Sequence, residues 1–241
     1  MGPKPAIQQM DSRTGERVVV VNHPRTFAEI AREVYGDEKP AATLAALAGL
    51  PADEPAPAGT VLVVPPAGEL EARRQAASAA QREFEAGLTA AKREGDLAAS
   101  AHFKEALRLA PWRDDIRYNL GLSLLAAGFP LEALPPLEET ARRRPDHAES
   151  RYALGSALRG LKAWDRAERE FDAAISLAPD HVAARLALAR THWDQGDTEG
   201  ATAEVRDLIA RYPDDPVTKT ARQWLARATD QRVGASVRPQ P

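Results

Sequence analysis

The chain has 241 residues, a net charge of −3 and no cysteine. Disulfides, thiol catalysis and thiolate metal sites are therefore excluded, and nothing in the charge balance provides the basic face that nucleic acid needs. Apolar residues make up 44% and aromatics only 5%. A core must then be built mainly from Ala, Leu and Val, which suits close-packed helices.

Residues 1–15, with the start "MGPKPAIQQMDSRTG", read as a disordered tail. The stretch lacks the apolar core of a secretory leader. If a leader has been removed, the protein belongs in the periplasm or cell envelope, and otherwise in the cytoplasm. No run of about 18 apolar residues occurs, so no transmembrane segment is expected.

Residues 16–66 read as a small domain. "RVVVV", Arg17 to Val21, predicts a strand. A helix starts at Thr26, where Thr26 and Glu29 have the spacing of a capping box. "PAATLAALAGL" predicts a second short helix, and "TVLVVP", Thr60 to Pro65, a second strand. This βααβ order, with Val21, Thr26, Ile30, Ala31, "VYGD" from Val34, Gly59, Leu62 and Pro65, resembles a LysM domain. The resemblance implies a glycan groove between two loops, at Asn22, His23, Pro24, Arg25, Thr26 and Phe27 and at Gly49, Leu50 and Pro51. Two positions depart from the family. Pro24-Arg25-Thr26 stands where Gly-Asp-Thr is frequent, and Ala48 where Asn is frequent. A degenerate module that contacts protein is the alternative.

Residues 67–79 read as a helical linker: two prolines end the strand, and an Ala-rich charged segment follows. From residue 80 to 230 one pattern returns. Pro111, Pro145, Pro179 and Pro213 are 34 residues apart. Gly87, Gly121, Gly155 and Ala189 keep the same spacing, as do Ala99, Ala133, Ala167 and Ala201. Phe103, Leu137, Phe171 and Val205 form a fourth column, and Ala106, Thr140, Ala174 and Leu208 a fifth. Each unit reads as two helices, with the proline blocking continuation of the second. Small residues let two backbones approach, and the bulky residue fills the gap beside them. This pattern resembles the tetratricopeptide repeat (TPR), with Trp164 at a turn where that family favours an aromatic. Four hairpins are expected, closed by a capping helix from Pro216 to about Thr229 that covers the last apolar face. Residues 231–241 read as a second disordered tail.

No catalytic constellation emerges. There is no phosphate-binding glycine loop and no nucleophile elbow. His147 and His181 recur at equivalent repeat junctions, where helix packing holds neighbours about 10 Å apart. They read as duplicated turn residues, and no metal or cofactor is expected. Asp114-Asp115 and Asp214-Asp215 read as charges at helix starts.

The TPR resemblance implies a groove lined by the first helix of each hairpin. Carried over position by position, it includes Phe84, Leu88, Tyr118, Asn119, Leu122, Tyr152, Arg159, Arg190 and Trp193. Aromatic and Arg residues are enriched at binding hot spots. The family's carboxylate clamp is absent, because Phe84 and Leu88 replace its polar residues. The sequence thus predicts a mainly α protein, a TPR solenoid with a small βααβ domain. It is expected to be a non-enzymatic adaptor that binds a protein or peptide, and peptidoglycan through the LysM-like domain. The alternative is a cytoplasmic scaffold in which that domain contacts protein.

Overall fold

A computed structural model describes residues 7–10 and 17–236. Two Val-rich runs pair in the N-terminal region. β2 (Arg17–Val20) lies antiparallel to β3 (Val61–Val64), with Arg17 opposite Val64 and Val20 opposite Val61. Strand alternation turns Val19, Leu62 and Val64 into the core. β1 (Ile7–Met10) adds a third strand on the other edge of β2, giving the order β1-β2-β3. The reading of residues 1–15 as a tail missed it, because "IQQM" shows no alternation for a pattern search to find. Residues 1–6 and 11–16 of that segment lie outside the described residues.

α1 (Phe27–Tyr35) and α2 (Ala41–Ala48) cover the sheet. The expected capping box at Thr26 and Glu29 forms. Phe27, Ile30 and Ala31 of α1 meet Leu44 and Leu47 of α2 in one buried cluster with the strand valines. The Tyr35 hydroxyl donates to Pro65 O at 2.6 Å, and burial pushes its phenol up to about 12. This bond ties the end of α1 to the residue that follows β3.

A short 3₁₀ turn, Ala67–Glu69, leads into α3 (Leu70–Arg93), an unbroken helix of 24 residues. Ala77 belongs to the N-terminal core. Further along, Ala80, Gly87 and Ala90 are buried, and α3 packs on α4 (Asp96–Leu109). One helix therefore serves as linker and as the first helix of the first hairpin. By contacts the chain divides into two units, residues 1–123 and 124–241.

After α5 (Asp114–Ala126) come α6 (Pro130–Arg143), α7 (Ala148–Gly160), α8 (Trp164–Leu177), α9 (Val182–Gln195), α10 (Thr198–Arg211) and α11 (Pro216–Ser236). α4, α6, α8 and α10 each end two residues before a repeat proline, as the sequence predicts. Two features differ from expectation. α6 runs through Pro135 and Pro136, which remove amide donors from its ladder. α11 continues past Thr229 to Ser236, into the stretch read as a tail. Residues 237–241 lie outside the described residues. No helix among the described residues is long and apolar enough to cross a membrane.

Within the second unit, α7 packs on α8 and α9 on α10. Phe171 and Val205, the large residues of the repeat, are fully buried. Ala189, Val205, Leu208 and Ala221 form a cluster with Trp224 and Leu225 against it, so α11 covers the last hairpin.

Candidate functional site

The nine residues expected to line a groove fall into both units. In the first, Phe84 is tilted on Phe103 with ring centroids 5.5 Å apart, and the Arg113 guanidinium lies 5.6 Å from the Phe84 centroid. Phe84 therefore works mainly as a packing residue. Leu88 is exposed, while Tyr118 and Leu122 are half-buried. The Asn119 amide donates to Asp115 O, one turn back on its own helix, at 2.8 Å.

In the second unit the structure brings three of the four remaining residues together. Tyr152 and Arg159 on α7 and Arg190 on α9 line one cavity of about 270 Å³. Helical spacing puts Tyr152, Ser156 and Arg159 on one face of α7, and Ala183, Leu186, Ala187 and Arg190 on one face of α9. Phe171 and, from α11, Val217 and Thr220 complete the wall. Tyr152 is fixed between Phe171, at 6.1 Å, and His181, at 5.1 Å between ring centroids. Ser156 Oγ donates to Tyr152 O at 2.9 Å. Arg159 reaches from α7 to α9, where its Nη2 donates to Asp194 Oδ2 at 2.6 Å.

Trp193 does not line this cavity. Its ring meets Trp224 of α11 edge to face, with centroids 5.4 Å apart. The sequence reading also missed Ser156, Leu186, Val217 and Thr220. Ser156 and Leu186 could have been found from their helical spacing to Tyr152 and Arg190. Val217 and Thr220 lie on α11, which follows no repeat column.

The residues expected to form a glycan groove are largely committed elsewhere. Phe27 is 1% exposed and forms part of the core, so it presents no surface to a sugar. Its place as the first residue of α1 turns it inward. The Thr26 hydroxyl caps α1. Arg25 pairs with Glu33 at 2.9 Å, and its backbone bridges to Ala56. Leu50 packs on the N-terminal core. Gly49 faces the Arg113 side chain so closely that a Cβ there would lie 2.5 Å from the guanidinium carbon. Asn22, His23, Pro24 and Pro51 are exposed.

Arg113 is itself 3% exposed and holds Asp115 with two bonds, at 2.7 and 2.6 Å. Next to it, the Trp112 indole donates to Leu47 O at 3.2 Å, and Arg73 lies 4.7 Å over its ring. His147 and His181 prove to be helix caps. Nδ1 of each accepts from a backbone amide at the start of α7 or α9, Ser150 and Ala184 respectively. No group of three or more His, Asp or Glu side chains among the described residues is placed to hold a metal ion.

Residues 118–180 and 158–225 each match a family model described as tetratricopeptide repeat. The chain thus carries TPR repeats on a mainly helical fold, with a small β-containing region before them. Neither match reaches that region, and its resemblance to a LysM domain gains no support from them. Among solved structures, YrrB, described as "a TPR protein with an unusual peptide-binding site", is 25% identical. That likeness covers 64% of this chain and 80% of YrrB, with a TM-score of 0.53. MamA (41-end) from Desulfovibrio magneticus RS-1 is 22% identical over 56% of this chain and 78% of its own, with a TM-score of 0.53. A Thermobaculum terrenum O-GlcNAc transferase mutant is 21% identical over 57% of this chain but only 27% of the transferase, with a TM-score of 0.52. The last two likenesses show the fold alone. No curated protein matches the chain.

Proposed function

We propose that the protein is a non-enzymatic scaffold that holds a protein or peptide partner on the first helices of its later repeats. The observation that carries this reading is the cavity shared by α7, α9 and α11, where Tyr152, Arg159 and Arg190 converge from distant positions in sequence. Rigid aromatic and Arg side chains with apolar residues between them are the composition of a binding hot spot. YrrB, with its peptide-binding site, offers the supporting analogy.

The N-terminal domain is read as the protein-contacting alternative, not as a glycan binder. Thr26, Arg25, Phe27 and Leu50 already have partners within the chain, and Arg113 lies against Gly49. Full-length protein is then expected to stay in the supernatant when mixed with purified peptidoglycan. Sedimentation with the wall material would restore the glycan reading and, with it, an envelope location.

A photo-crosslinking amino acid tests the scaffold reading in the native cell. One variant carries it at Thr220, an exposed residue of the cavity wall, and another at Asp172, exposed on α8. A discrete partner adduct is expected from Thr220 and not from Asp172. The reverse result would move the binding surface away from the first helices.

A further inference from the structure

Arg190 has no carboxylate of its own. Among the described residues no acid pairs with it, and its Nε–H, buried, has no hydrogen-bond partner. Arg159 is in a related position: Asp194 takes its Nη2, while its Nε–H is also buried and unpartnered. Two guanidinium groups thus line a cavity of about 270 Å³, and the one carboxylate beside them, Asp194, is bonded to Arg159 alone. Burial first, and the like charge of Arg159 second, hold Arg190 below its ordinary value, with Asp194 opposing only in part. Leaving charged donors buried without acceptors is costly, and a bound acceptor relieves it.

The cavity lies just below the roughly 300 Å³ at which drug-sized pockets begin. It has room for one amino-acid side chain. Its two arginines stand beside an apolar wall that includes Phe171, Leu186 and Val217. The balance of one net positive charge suits a single carboxylate. A doubly charged phosphoryl group would overshoot that balance beside Asp194. Ser156 directs its hydroxyl hydrogen to Tyr152 O, so of the polar groups lining the cavity the two guanidinium groups are the charged donors that face a ligand.

We propose that this cavity takes the side chain of an Asp or Glu in a peptide partner, its carboxylate bridging Arg159 and Arg190 and its methylene stem lying on the apolar wall. The proposal rests on the reading of this face as a protein-binding surface and adds the residue type recognised. Because Arg190 is the unpaired member, it dominates affinity. Asp194 competes with the ligand for Arg159 and so weakens binding.

A library of randomised heptapeptides, acetylated and amidated at its ends, is panned on the full-length chain. Captured sequences should be enriched in Asp and Glu. A captured acidic peptide should lose about tenfold or more in affinity when its acid becomes the matching amide, the scale of one charge-assisted hydrogen bond. Arg190→Gln should abolish the acidic enrichment with the thermal melt retained, and Asp194→Asn should strengthen it. Enrichment of other residues, with no preference for acids, would overturn this proposal and keep the scaffold reading. Acidic enrichment that survives Arg190→Gln would also overturn it, as would capture that requires a free C-terminal carboxylate. No enrichment of any kind would overturn the proposal and count against the scaffold reading as well.

Discussion

The Phe171 ring lies close against Gly155: a Cβ added at that glycine would be 2.7 Å from the ring's Cε1. The same relation holds between Gly87 and Phe103 in the first hairpin, at 2.6 Å. In the fourth repeat both members of the pair change together, to Ala189 and Val205. A small residue on one helix and a large one on the next are therefore two halves of one packing element. Gly155→Ala should destabilise by roughly 1–3 kcal/mol through overpacking, despite the better helix propensity of alanine. Phe171→Val alone should destabilise by opening a void. Together they reproduce the pair of the fourth repeat and should cost less than the sum of the two. A double-mutant cycle in urea reads this coupling directly, and strict additivity would sink the idea.

Lys162 is the one non-glycine residue with positive φ among the described residues, at 59°. It occupies the turn position held by Gly128 (φ 86°) and Gly196 (φ 104°), each 34 residues away. A left-handed backbone costs a side chain about 1–2 kcal/mol, and glycine avoids that cost. Its greater freedom in the unfolded chain takes some of this gain back. Lys162→Gly should raise stability by a net of about 0.5–1 kcal/mol, measured by thermal or urea unfolding. Any loss of stability would mean that the lysine side chain holds the turn in some other way.

These two relationships show what was legible in the sequence. The glycine, phenylalanine and proline columns repeat because each answers a steric demand at a fixed point in the hairpin, and such demands recur with the period. The βααβ order was readable because valine runs and a capping box carry local signals. Features that serve one place only were not readable. Pro135 and Pro136 look like helix breakers, yet α6 passes through them because Leu137 and Thr140, from the repeat columns, are fully buried and hold it in place. The cavity was half legible. Tyr152, Arg159 and Arg190 stand in repeat register, but the wall from α11 does not. Trp193 could not be separated from the cavity residues, since its partner Trp224 lies on that same non-repeating helix.

His147 caps α7 through Nδ1, which accepts from Ser150 N at 3.2 Å and lies 2.6 Å from Ser150 Oγ. Only an unprotonated Nδ1 can accept. Burial first, then the Arg144 charge, hold its pKa below the ordinary 6.5, with Glu149 and Asp146 opposing. A depressed pKa means that the unfolded chain takes up the proton more readily. The contribution of the cap is thus complete above about pH 6.5 and is lost as pH falls through the folded-state value. His147→Asn keeps a cap that does not titrate. The variant should lose less stability than the parent between neutral pH and pH 5, with a difference of roughly 1 kcal/mol at the acid end. Parallel pH profiles for the two proteins would assign the acid sensitivity to other groups.

Trp112 joins two clusters in the first unit. It packs on the N-terminal core with Leu47 and Val64, and also on the cluster of Ala80, Ala106, Ala110 and Ile116. Its indole N–H is satisfied by Leu47 O, and its face by Arg73. Beside it the buried Arg113 spans Asp115, Gln81 and the surface of Gly49. The small domain is therefore joined to the first hairpin by packing as well as by α3. Trp112→Ala should remove this joint and leave Leu47 O without its donor. The expected loss is about 3–5 kcal/mol, the range for truncating a large aromatic. It should be concentrated in the N-terminal domain, since the later hairpins have clusters of their own. Amide hydrogen exchange can locate it. Faster exchange is expected in β2, β3 and α2, while α8 to α10 keep the protection of the parent protein. Uniform acceleration along the chain would show that the chain unfolds as a single cooperative unit. No change in β2, β3 and α2 would show that the N-terminal core stands without this tryptophan.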